Sequence, residues 1–294
     1  MATYQTYQQI GLAEDVSDVI SNISPTKTPF QSSIGSDKVS AKLFEWQEDS
    51  LRAVQVNAQV EGFTASDATL VPTVMRSNVT QILEKTVKVS ATSDAAKTYG
   101  RAKETAYQIA KAGEELKRDL EHAMVGLDQA AVTGDATTAR KFASALNQID
   151  AGVANTASTA ALTEAMLLTL HQELYENGSD PEIFMIKPAD SLITAGFAAV
   201  ANSRARDIRD TRKVVNVVDI YVSPFGELKI VINRFIAATF ALMYSPDMWK
   251  KCVLRPWTRT MLAKTGDNES HMLVGEFSLK HKNYKASGTI EALT

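Results

Sequence analysis

The chain has one cysteine, Cys252, in 294 residues, so no internal disulfide can form and a reducing compartment is its natural setting. Long apolar runs are missing: a stretch such as Phe235 to Tyr244 is too short to span a bilayer. The N-terminal MATYQTYQQIGLAEDVSDV is polar and carries no apolar signal core, which predicts a protein that is cytosolic while it is being made. Neither sign of charge dominates. With 31 Lys and Arg against 34 Asp and Glu the net charge is −3, so no global basic field attracts nucleic acid or anionic membrane. Histidine is scarce, and none of His122, His171, His271 and His281 is spaced with another ligand as a zinc site requires. Neither GxGxxG nor GxSxG occurs, and Gly266-Asp267 lacks the Gly-Lys-Ser/Thr of a phosphate loop.

The dominant positive signal is one long helix pattern. From Arg101 to Ala131, small or apolar residues recur at Ala102, Ala106, Ile109, Gly113, Leu116, Leu120, Ala123, Leu127 and Ala130, a buried stripe at spacings of three and four. Lys111 with Glu115, Glu114 with Arg118 and Lys117 with Glu121 stand four apart on its charged faces. About 30 residues at ~1.5 Å each predict a spine of about 45 Å, with weak points at Gly113 and Gly126. Such a spine suits a protein that passes load to its neighbours.

Strand patterns flank it. Residues 1–38 are polar and proline-punctuated, either a loose tail or an arm over a neighbouring subunit, anchored by Ile20, Ile23, Phe30 and Ile34. Leu43–Gln47 and Val54–Val60 alternate as strands, followed by a loop at Gly62–Pro72 and strands at Val74–Leu83 and Thr86–Val89. Ser93 or Asp94 can cap a helix start. Beyond an irregular stretch at 132–161, Thr163 caps a helix to Glu176 that Asn177-Gly178 stops. A strand at Ile183–Ile186, a helix from Ala189 to about Val200, and strands at Val214–Val222 and Leu228–Asn233 complete an α/β piece. Strands return at Phe235–Met243, Trp249–Trp257, Met272–Lys280 and Ala286–Leu293. The fold class is α+β, with one domain assembled from both halves of the chain around the α/β insertion.

Candidates for chemistry are weak. Cys252 follows two lysines that would favour the thiolate, yet its strand setting reads as a buried structural cysteine. His171 reads as a surface residue, and the pairs Glu48-Asp49 and Glu114-Glu115 as solvated faces. The dense basic segment Arg204 to Lys213 is open to three readings: a solvated loop with internal ion pairs, a phosphate-binding loop, or an inter-subunit loop in a symmetric ring.

The order of the pieces carries a resemblance. Ser24-Pro25-x-x-Thr28-Pro29-Phe30 leads into the strand excursion and then into a spine ending Leu116-Lys117-Arg118-Asp119-Leu120-Glu121. Val218-Asp219-Ile220-Tyr221-Val222-Ser223-Pro224-Phe225-Gly226 lies in the insertion, and Leu254-Arg255-Pro256-Trp257, Leu262 to Asp267 and Val274 to Leu279 close the chain. Over nearly its whole length the sequence resembles the major capsid proteins of tailed bacteriophages with the HK97-like coat fold. The resemblance implies an N-terminal arm at 1–38, an extended loop at 39–80, a peripheral domain with the spine at 81–134, an axial domain at 135–233, and peripheral strands at 234–294. It implies a non-enzymatic shell subunit without cofactor or metal. Such a subunit forms hexamers and pentamers around double-stranded DNA in a virion assembled in the host cytoplasm. Its partners would be copies of itself, a separate scaffolding protein, a portal and decoration proteins. Residues expected at subunit contacts are Ile23, Pro25, Pro29, Phe30, Phe44, Trp46 and Phe63, with Arg204, Arg206, Arg209 and Arg212 near a capsomer axis. An encapsulin shell and, further off, an α/β enzyme using Cys252 or His171 are the alternatives.

Overall fold

The computed structural model describes residues 24–65, 67–96, 103–197 and 220–294. Among these, the first half holds α1 (Pro29–Ser33), β1 (Gly35–Lys38), β2 (Leu43–Glu48), β3 (Val74–Val79), β4 (Gln81–Ser90), α2 (Ala91–Ala95) and α3 (Glu104–Glu121). The second half holds β5 (Ala154–Thr156), α4 (Glu164–Glu176), β6 (Ile183–Ile186), α5 (Asp190–Phe197), β7 (Ile220–Ser223), β8 (Gly226–Ile232), β9 (Ala241–Tyr244), β10 (Trp249–Met261), β11 (Asn268–His281) and β12 (Gly288–Glu291).

Two main sheets organise these elements. One has the order β1-β10-β11-β4, built on the long antiparallel hairpin β10–β11, with β4 running antiparallel to β11 from Gln81 opposite Phe277 to Ser90 opposite Asn268. The other has the order β5-β12-β9-β6-β8-β7. The boundary expected at residue 233 therefore does not separate the sheets. Residues 234–294 give β10 and β11 to the first sheet and β9 and β12 to the second. The reason lies in β9: all four of its residues are buried, as in a strand covered on both faces, and it sits between β12 and β6 inside the second sheet.

The spine is shorter than its pattern. α3 has 18 residues, about 27 Å at ~1.5 Å each, and closes in a π-helical turn at His122–Gly126. Two carbonyls of that turn that would continue the helix are taken from elsewhere. Met124 O accepts from Ala145 N at 2.8 Å, and Val125 O from Ala237 N at 3.1 Å. A Cβ on Gly126 would stand 2.3 Å from Phe235 O, so only glycine fits where this turn meets the neighbouring chain. Leu116, Leu120 and Ala123 of the expected stripe are buried, joined by Ala112, Met124 and Val125, whereas Ala106 and Leu127 are exposed. The charged faces also differ from expectation: Lys117 pairs with Glu114 at 2.8 Å, Glu115 pairs with Lys85 on β4, and Glu121 is buried.

Local signals at α4 act as read. Thr163 Oγ1 accepts from Met166 N at 3.3 Å, and Gly178 takes φ +80° after Asn177. His171 is not a surface residue. It shares the buried stripe with Leu167, Leu170 and Leu174, and its Nδ1 meets Ser223 Oγ at 2.8 Å. At the other cap, Ser90 opens α2 with its side chain accepting from Ser93 N. Asp94 instead receives Thr105 N at the start of α3, at 3.0 Å.

The largest departure is at 49–73. The alternating Val54–Val60 forms no ladder; no strand is present between β2 and β3 among the described residues. β2 and β3 pair only at the root, from Leu43 opposite Val79 to Glu48 opposite Val74. Near the tip the chain doubles back at Gly62 (φ +79°), where Phe63 N donates to Val60 O.

Candidate assembly surfaces and their anchors

The extended loop displays apolar side chains that no other described residue covers. Leu51, Val54 and Val56 are more than nine-tenths exposed, and Val60, Phe63, Leu70 and Val71 are also exposed. Isolated exposed apolar residues are ordinary, but this many on one unpaired excursion mark an interaction surface. Phe63, expected at a contact, lies among them.

The root of the loop is held firmly. Trp46 is buried, stacks on Phe44 at 5.7 Å between ring centres, and packs against Tyr284 at 6.5 Å. The Arg76 guanidinium lies 4.1 Å over the Tyr284 ring and donates through Nε to Glu48 Oε1 at 2.8 Å. Glu48 Oε2 accepts from Tyr284 N at 3.2 Å. Glu48 is thus a structural anchor of the ribbon rather than half of a solvated pair, and Phe44 and Trp46 make their contacts inside the chain.

The arm is rooted in the same way. Phe30 was expected to cover a neighbour; it is fully buried in its own core, edge-on to Tyr244 at 5.3 Å and to Trp249 at 5.8 Å. Ile34 joins that core, while Pro25 and Pro29 stay half-buried. The first turn of α1 is bound by Glu121, whose Oε1 accepts from Phe30 N at 2.8 Å and Oε2 from Gln31 N at 3.0 Å. Asn233 Nδ2 donates to the same Oε1 at 2.8 Å. Burial raises the Glu121 carboxyl above its usual range, against the pull of these donors. Sequence reasoning missed this residue because it sits at a charged-face position four from Lys117. Its only hint was its place beside the stripe residue Leu120.

A buried stack joins the two roots. Trp249 lies parallel to His281 at 3.9 Å, and His281 stacks on Tyr284 at 5.8 Å. Trp249 Nε1 donates to Ser287 Oγ at 2.9 Å, Ser287 Oγ meets His281 Nε2 at 3.0 Å, and His281 Nδ1 meets Gln148 O at 2.7 Å. With Nδ1–H donating to the carbonyl, the serine hydroxyl donates to Nε2, so the neutral ring has both nitrogens satisfied. Burial lowers its pKa to about 3.

Cys252 is fully buried, and burial pushes its thiol up to about 12, which removes it as a nucleophile. Burial likewise holds His171 below the ordinary imidazole value. Among the described residues no three His, Cys, Asp or Glu side chains group as a metal site, and no helix is long and apolar enough to cross a membrane. Ile23 and the basic residues Arg204, Arg206, Arg209 and Arg212 lie outside the described residues.

An α+β body with a spine helix, two sheets, an arm and a long apolar loop defines a class of self-associating coat subunits with the HK97-like fold. The chain belongs to the SU10 major capsid protein family, whose model matches residues 1–294. It is 33% identical to the major capsid protein of Escherichia phage Phieco32, over 98% of this chain and 96% of that protein. Among solved structures, it is similar to the capsid of cyanophage A-1(L), with a TM-score of 0.71 at 12% identity over 96% of this chain and 97% of that one. It is also similar to the holo-SrpI encapsulin of Synechococcus elongatus, with a TM-score of 0.65 at 11% identity over 100% and 96%. These last two likenesses are of fold. Family membership makes the chain a structural subunit of a bacteriophage head and sets the encapsulin reading aside.

Proposed function

We propose that the chain forms hexamers and pentamers that close into an icosahedral head around double-stranded DNA, assembled in the host cytoplasm, with the extended loop of each subunit lying over its neighbour. The observation that carries this reading is the apolar loop at 49–73, left uncovered among the described residues. Fully burying a Val, Leu or Phe side chain contributes about 1.5–3 kcal/mol. Several such residues outweigh the cost of ordering the loop only when a second surface covers them all. On this reading the four-stranded sheet and α3 form the peripheral domain, and the six-stranded sheet with α4 forms the axial domain near the capsomer centre. Phe63 and Pro25 lie at subunit contacts on this reading. A net charge of −3 suits the wall of a DNA container, since a strongly basic lining would hold the genome by its phosphates.

The test replaces residues 50–72 with a short Gly-Ser turn. The expected product is a folded subunit, with the far-ultraviolet circular dichroism and melting of the parent, that forms no shells by light scattering or electron microscopy. Normal shells from this variant would overturn the reading.

A further inference from the structure

One carboxylate oxygen stands between three parts of the molecule. Glu121 Oε1 accepts from Phe30 N of the arm at 2.8 Å and from Asn233 Nδ2, just past β8, at 2.8 Å. The carboxylate itself belongs to the last residue of α3. Asn233 is fixed in its turn to the six-stranded sheet: its N donates to Ile186 O at 2.9 Å, and its Oδ1 accepts from Phe235 N at 2.9 Å. Immediately after Glu121 the helix widens into the π-helical turn, whose Val125 carbonyl is tied to Ala237. Turns of this kind are where helices bend. The joint between α3 and the six-stranded sheet and the docking of the arm therefore meet on one buried atom.

We propose that Glu121 is a latch that makes undocking of the arm root (28–34) and opening of the joint between α3 and the six-stranded sheet a single event. A hydrogen bond weakens steeply once its partners part, and a buried side chain held on three sides cannot follow both donors. Displacing Asn233 draws the carboxylate from the arm amides, and releasing the arm leaves the carboxylate free to turn towards the joint. Two contacts bypass the latch, Gln31 Nε2 to Lys117 O on α3 at 2.9 Å and Ser33 Oγ with Tyr244 OH on β9 at 2.8 Å, and they keep the arm close when the latch opens. The device belongs to the single chain. Its use, letting one subunit take different angles in hexamers and pentamers with the arm reporting the angle, rests on the function proposed above.

Hydrogen–deuterium exchange of the full, unassembled chain tests it without reference to shells. In Asn233→Ala, exchange of 28–34 is expected to rise about tenfold, the effect of losing a charged hydrogen bond, although the changed side chain bonds to the Glu121 carboxylate and not to the arm itself. In Glu121→Gln, exchange at 28–34, 121–126 and 233–237 is expected to rise together, with Asn268–His281 unchanged. An unchanged arm in Asn233→Ala, or an arm that loosens alone in Glu121→Gln, overturns the proposal. Failure of both variants to fold also overturns it, because the carboxylate would then be a strut of the core rather than a latch.

Discussion

Acid should weaken this subunit through His281, and the size of the effect follows from its surroundings. The ring is fully buried, stacked on Trp249, with Nδ1 donating to Gln148 O and Nε2 accepting from Ser287. A second proton at Nε2 would face the serine hydroxyl donor, whose oxygen already accepts from Trp249. Burial therefore holds the pKa at about 3, against an ordinary 6.5 in the unfolded chain. The native state then binds fewer protons than the unfolded one between these values, so its stability is full above 6.5 and falls as pH drops towards 3. Near pH 5 the unfolded imidazole lies about 1.5 units below its pKa, which at ~1.4 kcal/mol per unit is a loss of about 2 kcal/mol. That figure is set by the unfolded value as long as the folded one lies well below 5. Urea denaturation of the unassembled subunit near pH 7.5 and near pH 5 measures it, with His281→Gln as comparator. His171, also held low by burial, acts in the same direction, and Glu121, raised by burial, acts in the opposite one. Both are common to the two proteins and drop out of the difference. The expected difference in acid loss is about 2 kcal/mol; equal losses in parent and variant would refute the reasoning.

Cys252 should resist disulfide reagents near pH 8 in the native chain and react on denaturation, since its thiol is buried and pushed up to about 12; prompt labelling of folded protein would contradict this. Leu120→Asp should remove several kcal/mol, because it places an uncompensated charge in the core beside Phe30, Tyr244 and Trp249. Soluble, assembly-competent protein with that change would show that the buried face of α3 has been misassigned.

Sequence signals held where neighbours in the chain set the outcome. Thr163 and Asn177-Gly178 bound α4 because caps and left-handed glycines act within one turn. Strand character at Trp249–Trp257 and Met272–Lys280 was legible from local residue type, although β10 and β11 run further and their pairing was not read. The misses all came from partners distant in sequence. The end of α3 depends on Ala145 and Ala237, which nothing in the helix's own periodicity reveals. Period-two alternation at Val54–Val60 specifies two faces of a strand but not whether a second strand exists, and among the described residues none pairs with it. Phe30 was legible as an anchor, but not that its cover is Tyr244 and Trp249, more than 200 residues on. Glu121 looked like a helix-surface charge because two of its three donors are backbone amides, which have no side-chain signature, and the third, Asn233, lies 112 residues on.

The burial of both roots and the exposure of the loop tip answer a mechanical requirement. Residues 49–60 and 67–73 lie on either side of the turn at Gly62, with no strand in either. Fully extended, a dozen residues reach about 40 Å. At that length a swing of about 5° at the root moves the tip by roughly 3.5 Å, as much as a hydrogen bond's full length. If, as proposed above, the loop meets the same surface on every neighbour, it cannot hinge freely. Phe44, Trp46, Tyr284, Arg76 and Glu48 remove that freedom at the base, in a cluster continuous through His281 and Trp249 with the seat of Phe30. Loosening Trp46 would therefore spoil contacts made tens of ångströms away while leaving both cores intact. On the function proposed above, the two apolar groups of this chain have distinct roles: the buried rings aim the extensions, and the exposed Val and Leu side chains of the loop do the joining.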